Sequence, residues 1–62
     1  MTLTVNGEPR QSAARTVADL VGEPRRGVAV AVNGEVVPRR TWADTALRDG
    51  DRVEILTAAQ GG

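Results

Sequence analysis

The sequence predicts an α+β roll: a mixed sheet of four to five strands with one main helix lying across one face. Three observations carry that expectation. Thr2 to Val5 and Arg52 to Thr57, near opposite ends of the chain, both alternate polar and apolar residues, the period-two pattern of half-buried strands. Gly27-Val28-Ala29-Val30-Ala31-Val32 has the β-branched density of an inner strand. Between them, Val17, Leu20 and Val21 fall at i, i+3 and i+4, the single apolar stripe of a short helix. A length of 62 residues leaves room for one domain. Chains of this size bury only about 60% of the surface their unfolded forms expose, so the core must be economical.

Each element has a local reason. Asn6-Gly7 closes the first strand as a hairpin, because a type I′ turn needs two successive residues that tolerate positive φ. The return strand is expected from about Glu8 to Ala13. Thr16-Val17-Ala18-Asp19 is a helix start, with Thr16 as N-cap and Asp19 as its acidic capping-box partner. Gly22 and Pro24 end that helix, Gly22 through an αL cap and Pro24 because it cannot continue the ladder. In the next strand Val28, Val30 and Val32 share one face, and Ala29 and Ala31 leave the other nearly flat. Asn33-Gly34 turns into Glu35-Val36-Val37, and Pro38 stops further pairing. Val5-Asn6-Gly7-Glu8 and Val32-Asn33-Gly34-Glu35 are the same tetrapeptide, 27 residues apart. Two copies are one turn chemistry used twice, since a solenoid needs three or more units. Thr41-Trp42-Ala43-Asp44 starts a further helical turn anchored by Leu47. Asp49-Gly50-Asp51 is a turn in which Gly supplies positive φ and Asp bonds backbone. In the final strand Val53 and Ile55 face inward and Glu54 outward.

Composition narrows the function. Eight basic residues, all arginine, balance eight acidic ones, and the chain contains no His and no Cys. That excludes a disulfide framework and makes a metal site an unexpected feature. Zero net charge and a single aromatic residue, Trp42, argue against a nucleic-acid binder, which needs a basic footprint and usually stacking rings. The wholly apolar run Val28 to Val32 is far short of the roughly 20 residues that span a bilayer. Met1 to Gly7 shows no basic stretch followed by an apolar core, so a cytoplasmic location is expected. Of the usual nucleophiles and proton shuttles only Ser12 is present, with no histidine to serve as its base. The expectation is a protein that is not an enzyme, binds no cofactor of its own, and meets neither nucleic acid nor membrane.

The end of the chain is the informative feature. The expected organisation is a folded domain over 1–57 followed by a flexible tail over 58–62. A terminal Gly-Gly taken alone is a frayed end; joined to a preceding strand, it is an arm. Glycine is the least restricted residue, and Gly61 and Gly62 offer no side chain to block entry into a tunnel. The five residues Ala58 to Gly62, fully extended, span at most about 3.3–3.6 Å each. What the arm delivers is a carboxylate, ionised at pH 7 and therefore a poor electrophile. To carry a group it must be activated, most simply as a mixed anhydride with AMP made from ATP by another protein. A sulfur nucleophile displacing AMP leaves a thiocarboxylate; an amine leaves an amide.

Asn33-Gly34, Val37-Pro38-Arg39, Trp42, Leu47, Asp49-Gly50-Asp51, Val53, Ile55 and Gly61-Gly62 together resemble the ThiS sulfur carriers of thiazole (thiamine) biosynthesis. The resemblance covers essentially the whole chain. It implies a β-grasp, ubiquitin-like fold. It further implies that the Gly62 carboxylate is adenylated by a ThiF-like activating enzyme, which uses the ATP. A persulfide-bearing protein then supplies sulfur for the thiocarboxylate, and thiazole synthase receives it. Ala58-Ala59-Gln60 is less bulky than the corresponding segment of many relatives. Related readings are a sulfur carrier for molybdopterin or cysteine synthesis, a ubiquitin-like protein modifier, and a plain interaction module whose tail does nothing.

Other residues are weighed against plainer uses. Leu56 is out of phase with Val53 and Ile55, so it is expected on the sheet face away from the helix. With Ala58 it forms a candidate docking patch, to which Ala29 and Ala31 add if they share that face; Gln60 and Gly61 belong to the arm. Arg25-Arg26 and Arg39-Arg40 are charge runs, which are usually solvated faces. Trp42 beside Pro38 is expected to be a lid on a small core. A biotin or lipoyl arm needs a lysine, and a phosphopantetheine arm needs an exposed serine at a helix start, which Ser12 is not.

Overall fold

The computed structural model describes residues 1–23 and 26–57. Both Asn-Gly pairs adopt the turn expected of them, with φ of 50° and 84° at Asn6 and Gly7 and of 52° and 87° at Asn33 and Gly34. The first turn joins β1 (Thr2–Val5) to β2 (Glu8–Gln11), and the second joins β3 (Val28–Val32) to β4 (Glu35–Val37). Between these antiparallel hairpins lies β5 (Arg52–Thr57), parallel to β1 and antiparallel to β3, which gives the sheet order β2-β1-β5-β3-β4. One helix, α1 (Val17–Val21), and a 3-10 helix (Arg39–Asp44) form the second layer. This mixed five-stranded sheet gripping a single α-helix is a β-grasp α+β fold.

The ends of these elements follow local chemistry. β2 stops at Gln11 rather than Ala13. Just beyond it, the amide of Ser12 donates to Met1 O and the Met1 ammonium donates to Ser12 O, both at 2.9 Å. Ser12 Oγ then accepts the amide of Ala14 at 3.0 Å, which turns the chain off the sheet edge. Thr16 caps α1 as expected, its Oγ1 accepting the Asp19 amide at 3.1 Å. The Asp19 carboxylate reaches back one residue beyond the cap, accepting the Arg15 amide at 3.1 Å. At the other end Gly22 is not the αL cap that was expected. Its amide completes the last turn on Ala18 O at 2.8 Å, but φ 96° and ψ −164° put it in an extended region that only glycine enters readily. Pro24 and Arg25 lie outside the described residues.

Trp42 departs from expectation more consequentially. It is fully buried, in a core with Leu3, Val5, Val17, Val30, Leu47 and Val53, so it is the centre of the interior and not a lid. Pro38 ends β4, and the 3-10 helix that follows drops the indole onto the sheet. Its Nε1 donates to Val37 O at 2.9 Å, so the only polar atom of the ring goes in satisfied. The segment after the 3-10 helix then holds the start of α1: Val17 N–H donates to Thr45 O at 3.0 Å and Leu47 N–H to Arg15 O at 2.9 Å. The Asp-Gly-Asp turn does more than reverse the chain. Asp51 accepts the Arg48 amide at 2.8 Å, while Asp49 accepts the Thr2 amide at 2.7 Å, across 47 positions of sequence.

Trp42→Ala is expected to remove about 3–5 kcal/mol, most of the stability a domain of this size has, so that urea titration finds it largely unfolded in buffer. Trp42→Phe isolates the Val37 carbonyl left unpaired and is expected to cost about 1–3 kcal/mol. Thr16→Ala, removing only the cap, should lower the unfolding free energy by about 1 kcal/mol in the same titration.

Candidate functional site

The site is built around the strand that leads into the arm. β5 is paired with β3 through its last residue, Val28 facing Thr57 and Ala29 facing Leu56. On its other side the ladder with β1 reaches Val5 opposite Val53, after which β1 turns away at Asn6. There the Asn6 side chain takes over: Oδ1 accepts the Ile55 amide at 2.8 Å and Nδ2 donates to Ile55 O at 3.3 Å. Asn33 grips the start of the same strand, its Oδ1 accepting the Arg52 amide at 3.0 Å and its Nδ2 donating to the Asp51 carboxylate at 3.0 Å. Turn reasoning missed this use of the two asparagines. The signal was the repeated Asn: Asp-Gly or Gly-Gly would also make the turn, but only an amide both donates and accepts.

The sheet face away from α1 carries the second component. Leu56 lies there as its phase requires, 68% exposed, and Val36 is 76% exposed. The small residues Ala29 and Ala31 pair with them across the strands, Ala29 with Leu56 and Ala31 with Val36. The structure thus brings Leu56, Ala29 and Ala31 onto one face and adds Val36, which sequence reasoning did not single out. Its signal was the alternation of Glu35-Val36-Val37 once the turn register is set. At the arm end of this face is an open recess of about 460 Å³ lined by Gly27, Val28, Ala29, Arg39, Leu56 and Thr57. A recess of about 480 Å³ at the turn end, between β4 and the segment following it, includes Asn33, Glu35, Arg48 and Asp51 in its lining, at the start of β5 rather than its end. The expected site residues Ala58, Gln60, Gly61 and Gly62 lie outside the described residues.

Among the described residues no group of three or more His, Cys, Asp or Glu is placed to hold a metal ion, and no helix is long and apolar enough to cross a membrane. The carboxylates are occupied structurally: Asp19, Asp49 and Asp51 all accept backbone amides.

The ThiS family pattern matches residues 3–62 of this chain. The chain belongs to the ThiS family. Over 94% of its length it is 39% identical to the sulfur carrier protein ThiS of Thermus thermophilus, covering 95% of that relative. Its whole length is also 46% identical, over 66 aligned positions, to part of a thiazole synthase of Paramagnetospirillum magneticum, of which it spans only about a fifth (20%). The crystal structure of a thiamine biosynthesis protein, ThiS, from Geobacter metallireducens superposes with a TM-score of 0.79 at 37% identity, covering both chains completely. As a ThiS-family chain it has the β-grasp fold that the resemblance in its sequence implied.

The two faces of β5 should answer differently to the same truncation. Leu56→Ala is expected to shift the unfolding free energy by less than about 0.5 kcal/mol. Leu3→Ala, at a fully buried position of the adjacent strand, should cost about 2–5 kcal/mol in a urea titration.

Proposed function

We propose that this chain is a sulfur carrier of thiamine biosynthesis that works through the carboxylate of Gly62 and is a co-substrate of other enzymes, not a catalyst. The observation that carries the reading is the ThiS family match, which runs through the terminal Gly61-Gly62. In the first step a Gly62 carboxylate oxygen attacks the α-phosphorus of ATP on a ThiF-like activating enzyme, and pyrophosphate leaves. The terminal sulfur of a persulfide-bearing protein then attacks the acyl carbon and expels AMP. A thiol cleaves the resulting S–S bond, supplying the two electrons that release the thiocarboxylate. Thiazole synthase takes up that sulfur, and the carboxylate returns.

The residues of this chain support such a role by position. β5 ends the described fold where the tail begins, and the apolar face of Leu56, Val36, Ala29 and Ala31 beside it is a surface for partners to grip; Ala58, which follows β5 in the sequence, is proposed as a further docking contact. Gln60 and Gly61 form the slender approach to the reacting atom. The thiazole branch is preferred to molybdopterin synthesis, cysteine synthesis or protein modification because the similar proteins are carriers named ThiS and a thiazole synthase. ATP belongs to the activating enzyme, so the carrier needs no cofactor of its own.

Intact mass spectrometry after incubation with a ThiF-like enzyme, ATP and a persulfide donor should show one oxygen replaced by sulfur. Oxidation of Met1 gives nearly the same mass, so the product is also treated with an alkylating reagent. With no cysteine in the chain, an alkyl adduct formed under mild conditions reports the thiocarboxylate. Deleting Gly61-Gly62 should abolish the adduct while leaving the unfolding transition unchanged. A plain interaction module would keep its partners' activity after that deletion.

A further inference from the structure

Resting on the carrier reading above, we infer that Arg39 is a specificity-determining contact: its guanidinium at the arm-end recess receives an Asp or Glu carboxylate of the activating enzyme, next to an apolar side chain of the same enzyme seated against Leu56 and Ala29. The arginine pair Arg39-Arg40 is not used by the fold. Arg39 is exposed and has neither a hydrogen-bond nor an ion-pair partner for its side chain among the described residues. Yet it is not a solvated bystander, because it lines the recess with Gly27, Val28, Ala29, Leu56 and Thr57. No Asp or Glu among the described residues lines the recess. Glu54, on the same sheet face, lines a separate shallow depression with Thr4, Gly7, Gly34, Arg52 and Val53. Asp49 and Asp51 accept backbone amides at the opposite end of β5.

The recess therefore joins an apolar floor to a cation that has no partner among the described residues, beside Thr57 at the end of β5. An apolar partner surface alone would leave that cation desolvated and unpaired, which is costly. A surface with a carboxylate beside its apolar anchor complements both parts. Arginine suits the task because its planar fork binds a carboxylate through two parallel N–H donors. The contact lies at the rim of the docking face, where charge acts mainly on encounter and on discrimination between partners.

The test is the steady-state rate of ATP–pyrophosphate exchange by the activating enzyme as a function of carrier concentration. Arg39→Glu is expected to raise KM for the carrier about tenfold with kcat within about twofold of wild type, and Arg39→Lys to recover part of the loss. The difference between wild type and Arg39→Glu should shrink as NaCl is raised from about 0.05 to about 0.5 M. Arg40→Glu makes the same change in net charge at an exposed neighbour that does not line the recess, and should leave KM near wild type. Urea titration of each variant checks that the fold is intact. If Arg39→Glu matches wild type, if Arg40→Glu is equally impaired, or if KM for ATP changes instead, the assignment of Arg39 is overturned while the carrier reading stands. A wild-type chain that supports no exchange at all overturns both.

Discussion

The fold depends on β5 being held by β3 on one side and by the first hairpin on the other as far as Ile55. β3 pairs with it from Val53 to Thr57, and on the other flank β1 pairs with Arg52 and Val53 before it turns away at Asn6. The Asn6 and Asn33 amides then supply, from side chains, the donors and acceptors that backbone would otherwise have to provide at Ile55 and Arg52. A strand without these contacts would present unpaired backbone groups at its start and at Ile55, and such groups cost free energy unless water or a partner satisfies them. Both hairpins are thus subordinate to the last strand. The repeated Val-Asn-Gly-Glu tetrapeptide is the trace of that arrangement in the sequence.

A chain this short fills its interior with few side chains, and the layer opposite the sheet is mostly irregular. Among the described residues only five are α-helical, so the 3-10 helix and the segment after it carry much of the packing. Trp42 makes that possible. One large ring with its single donor satisfied replaces several smaller side chains, and Val17 and Leu47 close around it. The outer face has the opposite character: small alanines in the middle strand let Leu56 and Val36 stand clear of the surface.

What could be read from the sequence was what depends on neighbours a few positions apart. Thr16 capping α1, the two Asn-Gly turns, and the opposite phases of Val53 and Leu56 all follow from local chemistry or strand period. What could not be read depends on groups far away in the chain. β2 ends early where the Ser12 side chain takes the Ala14 amide, and Asp49 bonds Thr2 instead of its own turn. Trp42 was underestimated for a similar reason: its burial needs a carbonyl acceptor, and the Val37 carbonyl is delivered to it only once β4 has paired. On the functional side, the family resemblance and the outward position of Leu56 were visible, whereas the placement of Arg39 beside it required the sheet to be assembled.

The pairing of the first strand with the last also governs how the protein is born. Asp49 reaches Thr2, and Asn6 reaches Ile55 across 49 positions. A polypeptide emerging from the ribosome therefore cannot close its sheet until nearly all of it has been made, because those long-range contacts come only after the loop-closure cost is met. An interrupted translation product that stops short of β5 lacks its central strand and has no native surface to offer. Formation of the sheet is thus all-or-none with respect to β5: without it, the β1–β2 and β3–β4 hairpins have no strand to join them.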